Sequence, residues 1–261
     1  MNKLLALLLQ NRSVENRRFE VLKNESQEPV IYLYDVIVSS DLEAEWWGGI
    51  SPSNFLKELS SITSPVIHLR INSPGGDVFA ARVMELAIRQ HSSKIIAHID
   101  GYAASAASFL AVACDEVEIA ESGFFMIHKA WTMCWGNADD LNSTANLLGK
   151  IDDSLVNTYV AETGQDESQV QEWMRAETWF NAEEAIQFGF ADRLAEVPTK
   201  SNLSAWNMSA YNHAPKITPE DATVIEPENT FDTDLSKNHL NTEHRIRQQQ
   251  RVNMLSLTSV G

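Results

Sequence analysis

Apolar positions along the chain fall into two kinds of period. Val30 to Val38 and Val66 to Ile71 are dense in β-branched and aromatic residues, as strands buried on both faces require. Lys94 to Ile99 is a third run of the same kind, and Glu116 to Ala120 and Gly123 to Ala130 give two more. Between them Asn54 to Leu59 reads as a helix. Asp77 opens another, whose face carries Phe79, Val83, Ala87 and Ile88. Leu141, Ala145, Leu148, Leu155 and Tyr159 mark a long amphipathic helix over about 138–162, stopped by Gly164. A shorter helix is predicted from about Asp166 to Met174. Asn181, with Glu184 three residues on, reads as the cap of a last helix that Gly189 closes. Strand–helix units repeated in this order predict an α/β layered fold with parallel strand pairing.

The two ends of the chain lack these periods. Leu4 to Leu9 is an apolar run of six residues, too short for a secretory signal and followed by no small-residue cleavage site, so it predicts a short helix or contact arm. Residues 11–28 are polar and expected to be loose, and Trp46 and Trp47 fall in a loop or short helix. Past Pro198 the composition turns to Asn, Thr, Ser and acids, which predicts disorder over 199–242, with a short polar helix at 243–252. Three parts result: an arm at 1–28, a folded body at 29–197, and an extension at 198–261 expected to be disordered and to add little stability.

A net charge of −16 argues against a phosphate-binding surface, and so against nucleic acid as a partner. No run is long enough to span a bilayer, so a cytoplasmic protein is expected. Cys114 and Cys134 do not make a disulfide framework and have no metal-ligand spacing, which leaves reduced thiols and no metal or cofactor as the expectation.

The chemistry concentrates in three stretches. Gly101-Tyr102-Ala103-Ala104-Ser105-Ala106-Ala107-Ser108 joins a strand to an apolar helix, so Ser105 falls at a helix N-terminus with only small neighbours. Taken alone, such a run more often reflects tight helix packing. Upstream, Gly75 and Gly76 end a strand and let backbone N–H groups approach a substrate. Without a following Lys-Ser or Lys-Thr they are no phosphate loop. Downstream, Met126-Ile127-His128 offers a base on a strand face opposite to that of Lys129. Nucleophile, base and oxyanion donors are what acyl transfer at neutral pH needs.

Ile71-Asn72-Ser73-Pro74-Gly75-Gly76, the Gly101 to Ala106 run and Met126-Ile127-His128, in that order, resemble the ClpP family of serine peptidases. The likeness continues through Trp135 to Leu141, Thr163-Gly164 and Ala182-Glu183-Glu184-Ala185 to Gly189-Phe190-Ala191-Asp192, and covers about residues 30–195. It implies the ClpP/crotonase-type fold of repeated ββα units. It also implies Ser105 as nucleophile, His128 as base, and an oxyanion hole of the Gly76 and Ala106 N–H groups, with Gly75 and Gly76 along the substrate. The triad acid falls on Glu177, where the family usually has Asp. Family members form homo-oligomeric rings, stacked in pairs through the long helix, that act on polypeptides. The N-terminus does not resemble the segment with which the family docks an unfolding ATPase. That difference and the long extension resemble phage and prophage relatives that mature capsids in the host cytoplasm or prohead, with capsid or scaffold proteins and the extension itself as substrates.

Two other readings stay open on the residues. One is a signal-peptide-peptidase-like Ser–Lys enzyme that uses Lys129. The other is a non-catalytic scaffold or acyl-CoA-binding protein on the crotonase-type fold.

Overall fold

The ordering of β-branched runs and short turns produces one mixed sheet in a computed structural model that describes residues 3–14, 17–24, 27–196 and 206–215. The leucine run forms α1 (Lys3–Gln10). After it comes β1 (Arg18–Asn24), antiparallel to β2 (Gln27–Tyr34), so the stretch expected to be loose is in part an edge strand. Phe19 and Val21 turn inward to the core while Arg18 lies over the Tyr32 ring at 3.5 Å. An alternation this short, interrupted by Glu20 and Lys23, carries too few apolar positions to stand out in the sequence.

Two helices follow, α2 (Asp41–Trp47) and α3 (Pro52–Ser60), each started by a serine, Ser40 and Ser51, whose hydroxyl accepts an N–H three residues on. Then come β3 (Val66–Ser73), α4 (Val78–Gln90), β4 (Lys94–Ala104) and α5 (Ala106–Ala111). The chain goes on through β5 (Glu116–Ile119), β6 (Phe124–Ile127), α6 (Ala138–Thr163), α7 (Glu167–Ala176), β7 (Thr178–Asn181), α8 (Ala182–Gln187) and β8 (Arg193–Leu194). The expected α/β fold with parallel pairing is present, and the asparagine caps of α6 and α8 are complete capping boxes.

β2, β3, β4, β5 and β8 lie side by side in parallel. β4 is long enough to serve two sets of neighbours. Its first half pairs with β3 and β5, and Tyr102 to Ala104 pair with β6, which itself runs antiparallel to β7. The residue after β4, Ser105, therefore leaves the sheet where the two sets of strands diverge.

The face of α4 is a correction. Of the face expected inward, Ile88 is buried and Ala87 packs on the core, but Phe79 and Val83 are exposed, and Ala80, Ala81 and Met84 are buried in their place. Small residues lie against the sheet because α5, itself mostly alanine, packs closely beside them. A hydrophobicity period centred on the largest side chains points to the wrong face here.

The core on the helical side joins Ile31, Leu69, Ile71, Ile95, Phe109, Phe125 and Phe190. A second, smaller core forms from Leu7, Leu8, Val36, Val38, Tyr102 and Met126 together with Trp206, Met208 and Tyr211. This corrects the boundary expected after residue 197: the extension sends 206–215 back onto the body, where α1, the short helix expected from the leucine run, packs into the same cluster. Asn11, fully buried, donates to Leu7 O at 2.9 Å and to Asn207 O at 3.0 Å, and its own side-chain oxygen accepts the Asn207 N–H. Ser209 donates to Gln10 Oε1 at 2.7 Å. The disorder expected elsewhere in 198–261, and the helix expected at 243–252, lie outside the described residues.

A histidine pair crosses the sheet between β3 and β4. His98 Nδ1 lies 2.9 Å from the Glu118 carboxylate and Nε2 lies 2.8 Å from His68 Nδ1. On the other side His68 Nε2 lies 2.6 Å from the Glu28 carboxylate, so the two rings share their N–H groups between two acids. Burial lowers His98 from 6.5 to about 4 against the pull of Glu118, with Arg70 and His68 adding to the lowering. A histidine lowered in the folded state contributes stability above its unfolded value and loses it on acidification. Unfolding free energy should therefore drop as pH falls from about 6.5 toward 4, and denaturant titrations should show a shallower drop in His98→Gln. Equal slopes in the two proteins would remove His98 as the cause.

Candidate active site

Ser105 has φ 55° and ψ −122°, a conformation that a non-glycine residue adopts at a cost of roughly 1–3 kcal/mol. The chain around it over-determines this geometry. Ser105 N–H donates to Met126 O at 2.9 Å, its carbonyl accepts the Ser108 hydroxyl at 2.6 Å, and Ser108 meets Tyr159 Oη at 2.9 Å. The alanines on either side leave no side chain between the serine and its surroundings. Its hydroxyl thus stands away from the sheet, with Oγ 2.7 Å from His128 Nε2. At that distance the imidazole is in place to take the hydroxyl proton.

His128 follows the last residue of β6 instead of lying within a strand. The β6–β7 register pairs Ile127 with Thr178, and its next step sets Glu177 opposite His128. Glu177 ends α7 in the left-handed region, φ 53°, and is buried. Its carboxylate accepts the His213 N–H at 2.7 Å and the Asn212 side-chain amide at 3.3 Å, both from the extension. An ionised carboxylate has about four lone-pair positions, so these bonds leave capacity for an imidazole N–H.

The glycine turn is held by Ile37. Ile37 N–H donates to Gly75 O at 2.8 Å and Asp77 N–H donates to Ile37 O at 2.9 Å, a parallel bridge centred on Gly76. In such a bridge the N–H and C=O of the central residue point away from the partner strand, here away from Ile37. Gly76, Ser105, Ala106 and His128 line one pocket of about 260 Å³. Its far wall is apolar, built from Phe79, Phe109 and the α6 residues Leu147, Leu148 and Ile151. Gly75 and Glu177 are not in its lining, and neither is Lys129, whose ammonium lies 3.8 Å from Asp152 and is half exposed. The Ser–Lys alternative therefore has no geometry to support it, since Ser105 pairs with His128.

Residues 54–198, more than half of the chain, match the Clp protease family. The chain belongs to that family. Among curated relatives, "ATP-dependent Clp protease proteolytic subunit 2" of Treponema denticola is 27% identical over 62% of this chain and 81% of its own length. The protein of that name from Pseudomonas aeruginosa is also 27% identical, over 52% of this chain and 69% of its own. "ATP-dependent Clp protease proteolytic subunit 1" of Chlamydia muridarum is 30% identical over 52% of this chain and 72% of its own. The 206–215 segment lies beyond the matched residues.

Tyr211 is the site neighbour that sequence reasoning missed. It is buried, its ring meets His128 edge-on with centroids 5.5 Å apart, and its hydroxyl donates to Pro74 O. The available signal was Trp206, Met208 and Tyr211 in an otherwise polar tract. Large apolar residues in such a tract mark an anchor even where no period connects them.

Proposed function

We propose that this chain is a serine endopeptidase in which Ser105 attacks the peptide carbonyl carbon, His128 takes its proton, and Glu177 orients the imidazole. The observation that carries this reading is the 2.7 Å contact between Ser105 Oγ and His128 Nε2 in the pocket that Gly76 and Ala106 line. The N–H groups of Gly76 and Ala106 would hold the oxyanion as the carbonyl becomes tetrahedral. His128 then returns its proton to the leaving amine, and a water, activated by the same imidazole, attacks the acyl-serine to regenerate the hydroxyl. An intact nucleophile–base pair is of no use to a scaffold or an acyl-CoA-binding protein, and this favours the peptidase. Substrates are polypeptides, reached inside a homo-oligomeric ring whose stacked partner ring meets it through α6. The exposed apolar side chains of α4 and α6, among them Phe79, Val83, Leu141 and Leu147, fit such burial between subunits. No metal or cofactor takes part in the proposed reaction. The extension and the atypical N-terminus favour a phage or prophage capsid-maturation role in the host cytoplasm or prohead, without an unfolding ATPase.

A fluorophosphonate probe tests the chemistry directly. One adduct per chain, mapped to Ser105 and absent from Ser105→Ala, is expected. A wild-type protein that stays unlabelled would refute the nucleophile. Self-processing is expected as well, because a tethered tail has a high effective concentration at the site. Over days, intact-mass spectra should show the wild type shortening from its C-terminus to products that keep the packed Trp206-to-Tyr211 segment, while Ser105→Ala stays whole. Full-length wild type, or equal trimming of both proteins, would count against self-processing.

A further inference from the structure

The extension approaches the site from behind. The pocket that holds Ser105 Oγ, the Gly76 turn and His128 has no residue of 206–215 in its lining. Tyr211 instead touches the same groups on the side away from that pocket, and it joins the two halves of the site. Its ring packs edge-on against His128, with the Trp179 ring 5.8 Å away on another side, and its hydroxyl holds the carbonyl of Pro74, the residue that begins the Gly75-Gly76 turn. The next two residues take the Glu177 carboxylate through the Asn212 amide and the His213 N–H, and His213 Nδ1 lies 2.9 Å from Ala176 O. One tripeptide thus contacts the base, the oxyanion turn and the acid opposite the base. Behind it, Trp206, Met208 and the Asn207–Asn11 amide pair fix the segment to the body and to α1.

From this geometry we propose that Tyr211 is a positioning residue, and that 206–215 is a built-in back wall of the active site. Burial pushes the phenol well above its usual range, a hydrogen bond with Ser105 opposes that, and the Glu177 charge adds to it, so Tyr211 stays neutral and serves as a donor. The segment leaves the substrate pocket open, and this separates a positioning role from blockade. The proposal rests on the serine-peptidase reading for its kinetic consequence, though not for the contact itself.

The test compares full-length Tyr211→Ala, Tyr211→Leu and Tyr211→Phe with the wild type. Two readouts are taken: steady-state hydrolysis of a short fluorogenic peptide, and the imidazole Cε1–H NMR signal of His128, assigned by its loss in His128→Gln. Alanine is expected to lower kcat by about 10- to 100-fold with KM changed less than about threefold, since the loss is in orientation and not in substrate contacts. Phenylalanine keeps the edge contact and should recover kcat to within about threefold of wild type. Leucine fills the space without an aromatic edge and should resemble alanine, which keeps the test decisive should the alanine protein not fold. The His128 signal should move in the alanine and leucine proteins and stay near its wild-type place in phenylalanine. A rise in kcat in any variant would overturn the proposal in favour of an inhibitory tail. An unmoved His128 signal in both leucine and alanine proteins would overturn it whatever the activity. A moved signal in a protein that hydrolyses no peptide would keep the back wall and discard the peptidase reading.

Discussion

Ser105→Ala should lower peptide hydrolysis by about 10⁵-fold or more while leaving folding and assembly unchanged. The substitution deletes one oxygen and leaves the oxyanion donors and the surrounding alanines in place. Ser105 has positive φ, and alanine is no better suited to that region than serine, so the backbone strain is the same in both proteins. The hydroxyl's listener, His128, would lose one contact at Nε2. His128→Ala should fall by a similar factor, and the double variant should be no worse than either single, because nucleophile and base act as one unit. Additive losses in the double variant would mean that the two residues work separately. Hydrolysis by Ser105→Ala at near the wild-type rate would end the assignment.

Glu177→Gln carries the second large expected effect, a loss of two to four orders of magnitude in kcat, in the manner of a triad acid turned into an amide, which favours the wrong histidine tautomer (about 10⁴ in the best-known case). The extension makes this variant readable. The amide oxygen of glutamine can still accept the His213 N–H, and Asn212 can turn its side-chain oxygen toward the new NH₂ group. The back wall is then kept while the charge opposite His128 is removed. Thermal unfolding within a few degrees of wild type, alongside the kinetic loss, would assign the effect to the imidazole. A kinetic loss below about tenfold would show that another group orients the base.

Much of this site is legible from residue order. The glycine pair after a dense β run and a serine among alanines at the next strand end could be placed before any contact was known, and the histidine was expected one residue inside a strand that in fact ends just before it. Their order and spacing are tied to the parallel strands, and each such strand end brings its loop to the same edge of the sheet. What the residues could not give is the reach of elements without a period. β1 is a short strand with charged residues on its outer face, and it is held by pairing with β2 more than by its own pattern. The Trp206-to-Tyr211 segment has no regular structure, and its place depends on Asn11 and Leu7, close to 200 positions away, and on a pocket that only the folded sheet creates. The first turns of α4 differ from expectation for a related reason: close packing against α5 puts Ala80 and Ala81 inward and leaves Phe79 and Val83 exposed.

The amide pair between Asn11 and Asn207 closes a loop over 196 positions of sequence, and this bears on the order of events during synthesis. A ribosome delivers Ser105 and His128 long before Tyr211, so a nascent chain can build its sheet and still lack the segment that braces the imidazole. Contacts this distant in sequence form late, because they carry the largest loop-closure entropy. A subunit assembled in that order completes its sheet first and gains the segment behind His128 only once residue 211 has left the ribosome.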